Sequence, residues 1–116
     1  MQRVVPALRV TDYPVSQDFY AKLGFREDWR HVFEEGLPIF AAISLREMQI
    51  FLTEHSGDCS SGGLVHFYID NVDSYYEQVR LKVDVEQPPS NSLGSDLRDM
   101  AIRDPDGNRL VFLSKT

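Results

Sequence analysis

The chain reads as two copies of one short plan, and that repeat limits its fold more than any other feature. Leu8-Arg9-Val10-Thr11-Asp12 lies over Phe67-Tyr68-Ile69-Asp70-Asn71 at an offset of 59 residues, and Ile50-Phe51-Leu52 lies over Leu110-Val111-Phe112 at an offset of 60. A unit of this size cannot bury an apolar face alone, so two copies must pack on each other. The expectation is a pseudo-twofold pair of modules with a shared cleft.

Each copy predicts a strand, a helix and further strands. In the first, Leu8 and Val10 alternate with Ala7 and Arg9, and Thr11-Asp12-Tyr13-Pro14 ends the strand. Val15, Phe19, Tyr20 and Leu23 then fall at helical spacing, with Pro14 suited to the first turn and Gly24 to the C-terminal cap. From Trp29 to Thr53 the period returns to two, and the runs 39–43 and 48–52 flank the break Leu45-Arg46-Glu47 as a hairpin. Residues 54–63 are small and polar, which predicts a linker.

The second copy opens with a strand from Leu64 to Ile69, a helix start at Asn71-Val72-Asp73, and an apolar helical face of Tyr75, Tyr76, Val79 and Val83. Asp84 to Gly94 reads as a loop, and strands 98–103 and 108–113 flank the turn Asp104-Pro105-Asp106-Gly107. The expected class is α+β: one domain over residues 1–116, with module 1 at about 1–56, a linker at about 57–63 and module 2 at about 64–116.

Twelve basic against 18 acidic residues give a net charge of −6, which disfavours nucleic acid and weakly attracts cations. One cysteine, Cys59, excludes an internal disulfide and a cysteine-cluster zinc site within one chain. No apolar run reaches the roughly 18 residues of a membrane span, and the start has no signal-peptide pattern, so a cytoplasmic protein without a membrane partner is expected.

The double βαβββ order, with Val5-Pro6-Ala7-Leu8-Arg9-Val10, Phe19-Tyr20, Leu23-Gly24-Phe25 and Arg103-Asp104-Pro105-Asp106-Gly107-Asn108, resembles the glyoxalase/bleomycin-resistance (vicinal oxygen chelate) superfamily, closest to the bleomycin-resistance proteins. The resemblance implies curled mixed sheets, ligands held on their concave faces, and a homodimer. It also implies four inward metal-ligand positions, which fall here on Val5, Phe51, Leu64 and Val111. None offers a carboxylate, imidazole or thiolate donor, so no metal and no other cofactor is expected. The ion-dependent reactions of the family are then not expected either.

Alternation assigns Val65, Phe67 and Ile69 to the core and leaves Leu64, His66 and Tyr68 for the cleft. His66 and Tyr68 suit a flat heteroaromatic ligand, and Trp29 and Phe33 match a region of aromatic contacts in the resistance proteins. Phe51 completes the apolar wall. Glu34, Glu35, Asp96 and Asp99 are candidates for attracting a cationic tail, and Arg98 for pairing with one of them or contacting the ligand, against the plainer reading of solvated surface charge. His31, His55 and His66 lack a ligand-spacing motif, and Cys59 has no activating neighbour.

These residues favour metal-independent sequestration of a bulky aromatic, cationic small molecule of the bleomycin type. The predicted ligand-binding set is Trp29, Phe33, Phe51, Leu64, His66, Tyr68, Asp96 and Arg98, with no catalytic residue. A glyoxalase- or dioxygenase-like enzyme with a divergent or shifted site stands as the alternative.

Overall fold

The computed structural model describes residues 1–32 and 34–116, and the expected contact Phe33 therefore lies outside the described residues. In chain order the elements are β1 (Ala7–Arg9), α1 (Tyr13–Lys22), β2 (Arg26–Val32), β3 (Ile39–Leu45), β4 (Met48–Thr53), β5 (Leu64–Tyr68), α2 (Val72–Val79), β6 (Gln87–Ser90), β7 (Leu97–Arg103) and β8 (Arg109–Lys115). They form two four-stranded mixed sheets of the same topology, β1-β4-β3-β2 and β5-β8-β7-β6. In each, the first strand runs parallel to the last and the remaining pairs are antiparallel.

Local chemistry starts and stops the helices at matching places. The Asp12 side chain accepts from the Val15 amide, and Asn71 accepts from Ser74 in the second half, so each helix has a side-chain cap on its free N–H groups. The chain then turns out of α1 through a Schellman motif. Gly24 N–H donates to Ala21 and Phe25 N–H to Tyr20, with Gly24 at φ +98°, a conformation that costs glycine little. Helix α2 is eight residues long and stops before Val83, which packs on the core from the following segment.

The residues 84–94 hold a strand where a loop was expected. Strand β6 contains Pro88 and Pro89, which offer no ladder donor, and it pairs only through Gln87 with Ala101 and Ser90 with Asp99, with a register shift between. It lies at the sheet edge, the position where missing N–H groups are tolerated.

One apolar cluster joins the halves. Phe25 packs edge-on against Phe67 at 5.6 Å, Phe67 stacks on Phe112 at 5.0 Å, and Tyr75 meets Phe112 at 4.8 Å. Leu8, Ile43, Ile50 and Leu52 from the first sheet and Val65, Met100, Ile102 and Leu110 from the second complete this core. Each such side chain contributes about 1.5–3 kcal/mol when fully buried.

The turn after β7 fastens the seam. Asp104 accepts from the Asp106 and Asn108 amides and from the Tyr20 hydroxyl at 2.7 Å, while Asn108 donates to Arg9 O and Asp106 accepts from Thr11. Burial, followed by the Asp104 charge and hydrogen bond, pushes the Tyr20 hydroxyl well above its ordinary pKa, so it stays a donor. The sequence Asp104-Pro105-Asp106-Gly107-Asn108 is therefore both a turn and the clasp between halves.

Candidate functional site

Strand register defines the face of each sheet turned away from the core. In the first sheet Ala7, Phe51, Ala42 and Trp29 are successive cross-strand neighbours, and Arg9, Thr53, Phe40 and His31 form the next row. In the second, the equivalent rows are His66, Val111, Ala101, Gln87 and Tyr68, Leu113, Asp99, Ser90. These outer faces are the surfaces that the resemblance makes concave.

The first outer face is an aromatic plate. Trp29 stacks on Phe40 with ring centroids 6.1 Å apart and planes 13° from parallel, and Phe51 meets Trp29 at 5.6 Å and Phe40 at 5.2 Å. Trp29 remains 45% exposed, so the plate is open to solvent. Beside it lies Asp28, projected by the β-bulge between Glu27 and Trp29. Its carboxylate accepts from Ser44 Oγ and from Gln49 Nε2 at 2.9 Å, and Arg26 Nε lies at 3.5 Å. The Ser44 hydrogen bond, then that of Gln49, lowers its pKa against a smaller opposing effect of burial.

The second outer face is smaller and more polar. Ala101, Val111 and Leu113 form a compact buried patch with Leu97 against it. Next to it Asp99, 3% exposed, accepts from Gln87 Nε2 at 2.9 Å and Ser92 Oγ at 2.8 Å, with no cationic partner among the described residues. Arg109 closes the rim through Glu86 at 3.2 Å and Gln87 Oε1 at 3.3 Å.

The structure brings together only part of the expected residue set. Trp29 and Phe51 share the first plate, and Leu64, His66 and Tyr68 are exposed on the outer side of β5, as alternation predicted. Arg98 lies on the other side: it pairs across β7–β8 with Ser114, whose hydroxyl caps α2, and its guanidinium is held by Asp73 at 3.2 Å and Asn91 at 3.1 Å. Asp96 is an exposed loop residue whose carbonyl accepts from Thr116. Glu34 and Glu35 are exposed between β2 and β3. Phe40, Asp28, Gln87 and Ser92 belong to the outer faces as well and were not among the expected residues, while Asp99, a candidate for attracting a cationic tail, lies there between Gln87 and Ser92. Phe40 was legible from alternation with Ala41; the bulge that turns Asp28 outward left no sequence signal.

The positions at which the resemblance implies metal ligands carry side chains with no donor atoms. Val5, Phe51, Leu64 and Val111 cannot coordinate a divalent ion, and the described residues contain no cluster of three or more His, Cys, Asp or Glu arranged to hold one. These positions do not fit the ion.

Comparison with known proteins places this architecture. The family model described as "Glyoxalase superfamily protein" matches residues 1–116, and the chain belongs to that superfamily. Among solved structures, it is similar to TioX from Micromonospora sp. ML1, with a TM-score of 0.75 and 19% identity over 99% of this chain and 97% of that one. It is also similar to a bleomycin resistance determinant encoded on the transposon Tn5, with a TM-score of 0.74 and 19% identity over 99% and 98%. A glyoxalase/bleomycin resistance protein/dioxygenase superfamily member from Sphaerobacter thermophilus matches with a TM-score of 0.73 and 20% identity over 98% of each chain. No curated protein matches by sequence.

Proposed function

We propose that the protein binds and sequesters a planar aromatic, cationic small molecule, of the kind represented by the bleomycins, without a metal ion and as a homodimer. The observation that carries this reading is the open plate of Trp29, Phe40 and Phe51. Such a surface gains from stacking a flat ring, and exposed aromatic area of this kind is otherwise a liability in a soluble chain.

Charge supports a cationic ligand. Asp28 stays ionised beside the plate, Asp99 has no cationic partner among the described residues, and the chain carries a net charge of −6. The exposed apolar groups Val4, Val32, Leu64 and Tyr68 would be covered in a dimer, whose partner would also wall in the ligand. Apolar side chains at the metal positions favour binding over ion-assisted reaction.

The chain has one tryptophan, so its fluorescence reports directly on the plate. Titration with metal-free bleomycin is expected to quench Trp29 saturably, with calorimetry giving about one ligand per site. Trp29→Ala and His66→Ala are each expected to weaken binding at least tenfold, equivalent to about 1.4 kcal/mol. Binding that is indifferent to Trp29→Ala, or no heat with any planar cation, removes this reading.

A further inference from the structure

A cavity of about 510 Å³ opens between the two halves; Tyr68 reaches its wall, but Trp29, Phe40 and Phe51 do not line it. Its volume is that of a small-molecule site. The floor is apolar, built from Leu45, Met48 and Ile69, and the rim carries Arg46, Glu47 and Asp70. None of these three charged groups has an ion pair or side-chain hydrogen bond among the described residues, whereas the other rim cation, Arg26, is already paired with Asp28. The cavity mouth thus holds charges of both signs, unpaired among the described residues, beside an apolar floor.

The hairpin that supplies Arg46 adds a second observation. Leu45 pairs with Met48, so Arg46 and Glu47 form a two-residue turn, and Arg46 sits at φ +54°. Glycine relieves that conformation at the first central position of such turns, yet an arginine occupies it over the mouth of the cavity.

We infer that this cleft binds a small zwitterion with an apolar side chain, an α-amino acid, whose carboxylate Arg46 receives, whose ammonium Asp70 and Glu47 receive, and whose side chain rests on Leu45, Met48 and Ile69. Matching charges of both signs at one mouth orients such a ligand, and removal of either ligand charge leaves a rim group unmatched. The plate residues Trp29, Phe40 and Phe51 take no part in this site.

The test is calorimetry and thermal shift on the full chain with L-leucine, 3-methylbutylamine and 4-methylpentanoate, none of which carries a ring for the aromatic plate. Leucine is expected to saturate at one molecule per chain, with each analogue at least tenfold weaker. Arg46→Gly, which relieves the turn and so keeps the fold with an unchanged or higher Tm, is expected to make leucine no better than 3-methylbutylamine. Asp70→Asn is expected to make it no better than 4-methylpentanoate, and Trp29→Ala to leave its affinity unchanged. Equal binding of all three compounds, no saturation at millimolar concentration, or loss of binding in Trp29→Ala overturns the assignment.

Discussion

The two sheets share one topology but present different outer surfaces. Phe40 in the first occupies the register position of Asp99 in the second; Trp29 corresponds to Gln87, and Phe51 to Val111. The inward rows show no such divergence, since Leu8, Ile50 and Leu52 correspond to Phe67, Leu110 and Phe112, all buried apolar residues. The core must be filled in both halves for either to fold, so its chemistry is fixed by packing. The outer faces are free of that demand, and one half carries a stacking plate while the other carries a buried carboxylate in a polar cradle.

The comparison holds only if both faces belong to one cooperative unit, and Phe112 tests this with the largest expected effect. Phe112→Ala removes a fully buried ring that touches Phe67 and Tyr75, and a loss of about 3–5 kcal/mol is expected. Urea unfolding followed by Trp29 fluorescence in the first half and far-UV circular dichroism over the whole chain is expected to give coincident curves. Separated transitions would make the halves independent.

A smaller effect sharpens the contrast at the helix starts. Glu54 and Ser114 are equivalent positions, each feeding the first turn of its half's helix. Glu54 accepts from the Tyr13 amide at 2.7 Å and also from the Ile39 amide at 2.8 Å, while Ser114 accepts only from Val72 at 3.1 Å. Glu54→Ala is expected to cost about 2–3 kcal/mol in urea unfolding, because a charged acceptor serving two amides is lost. Ser114→Ala is expected to cost about 1 kcal/mol. Equal losses would mean that the two helix starts rest on the same strength of capping despite their different chemistry.

The repeat made the architecture legible because short alternating strands and capped helices are local signals. Alternation in β5 correctly separated Val65 and Phe67 from Leu64, His66 and Tyr68, since only one side of that edge strand is buried. Alternation gives no guide in β7, where Asp99, Met100, Ala101 and Ile102 are all buried and the two faces look alike in sequence. Arg98, read as a residue near a strand end that contacts the ligand or pairs with a nearby acid, is held by Asp73 on the helix side. Strand β6 was hidden by Pro88 and Pro89, which predict a loop unless the edge position is known. The inter-half cavity depends on which loops meet, a long-range fact that no local pattern carries.

Asp28 gives the smallest effect and the finest test of how the first face differs from the second. Its carboxylate is held below the ordinary value of 3.8 by donors from Ser44 and Gln49, so the folded state releases its proton at lower pH than the unfolded chain does. The stabilisation is therefore complete above about pH 4 to 5 and is lost as pH falls through the lowered folded value. Asp28→Asn is expected to lower the urea midpoint slightly at pH 7 and to converge with the parent protein as pH falls through the lowered folded value. A difference that persisted undiminished at low pH would mean that Asp28 acts by shape alone, and its charge would then lose its place beside the aromatic plate as an attractor for a cationic ligand.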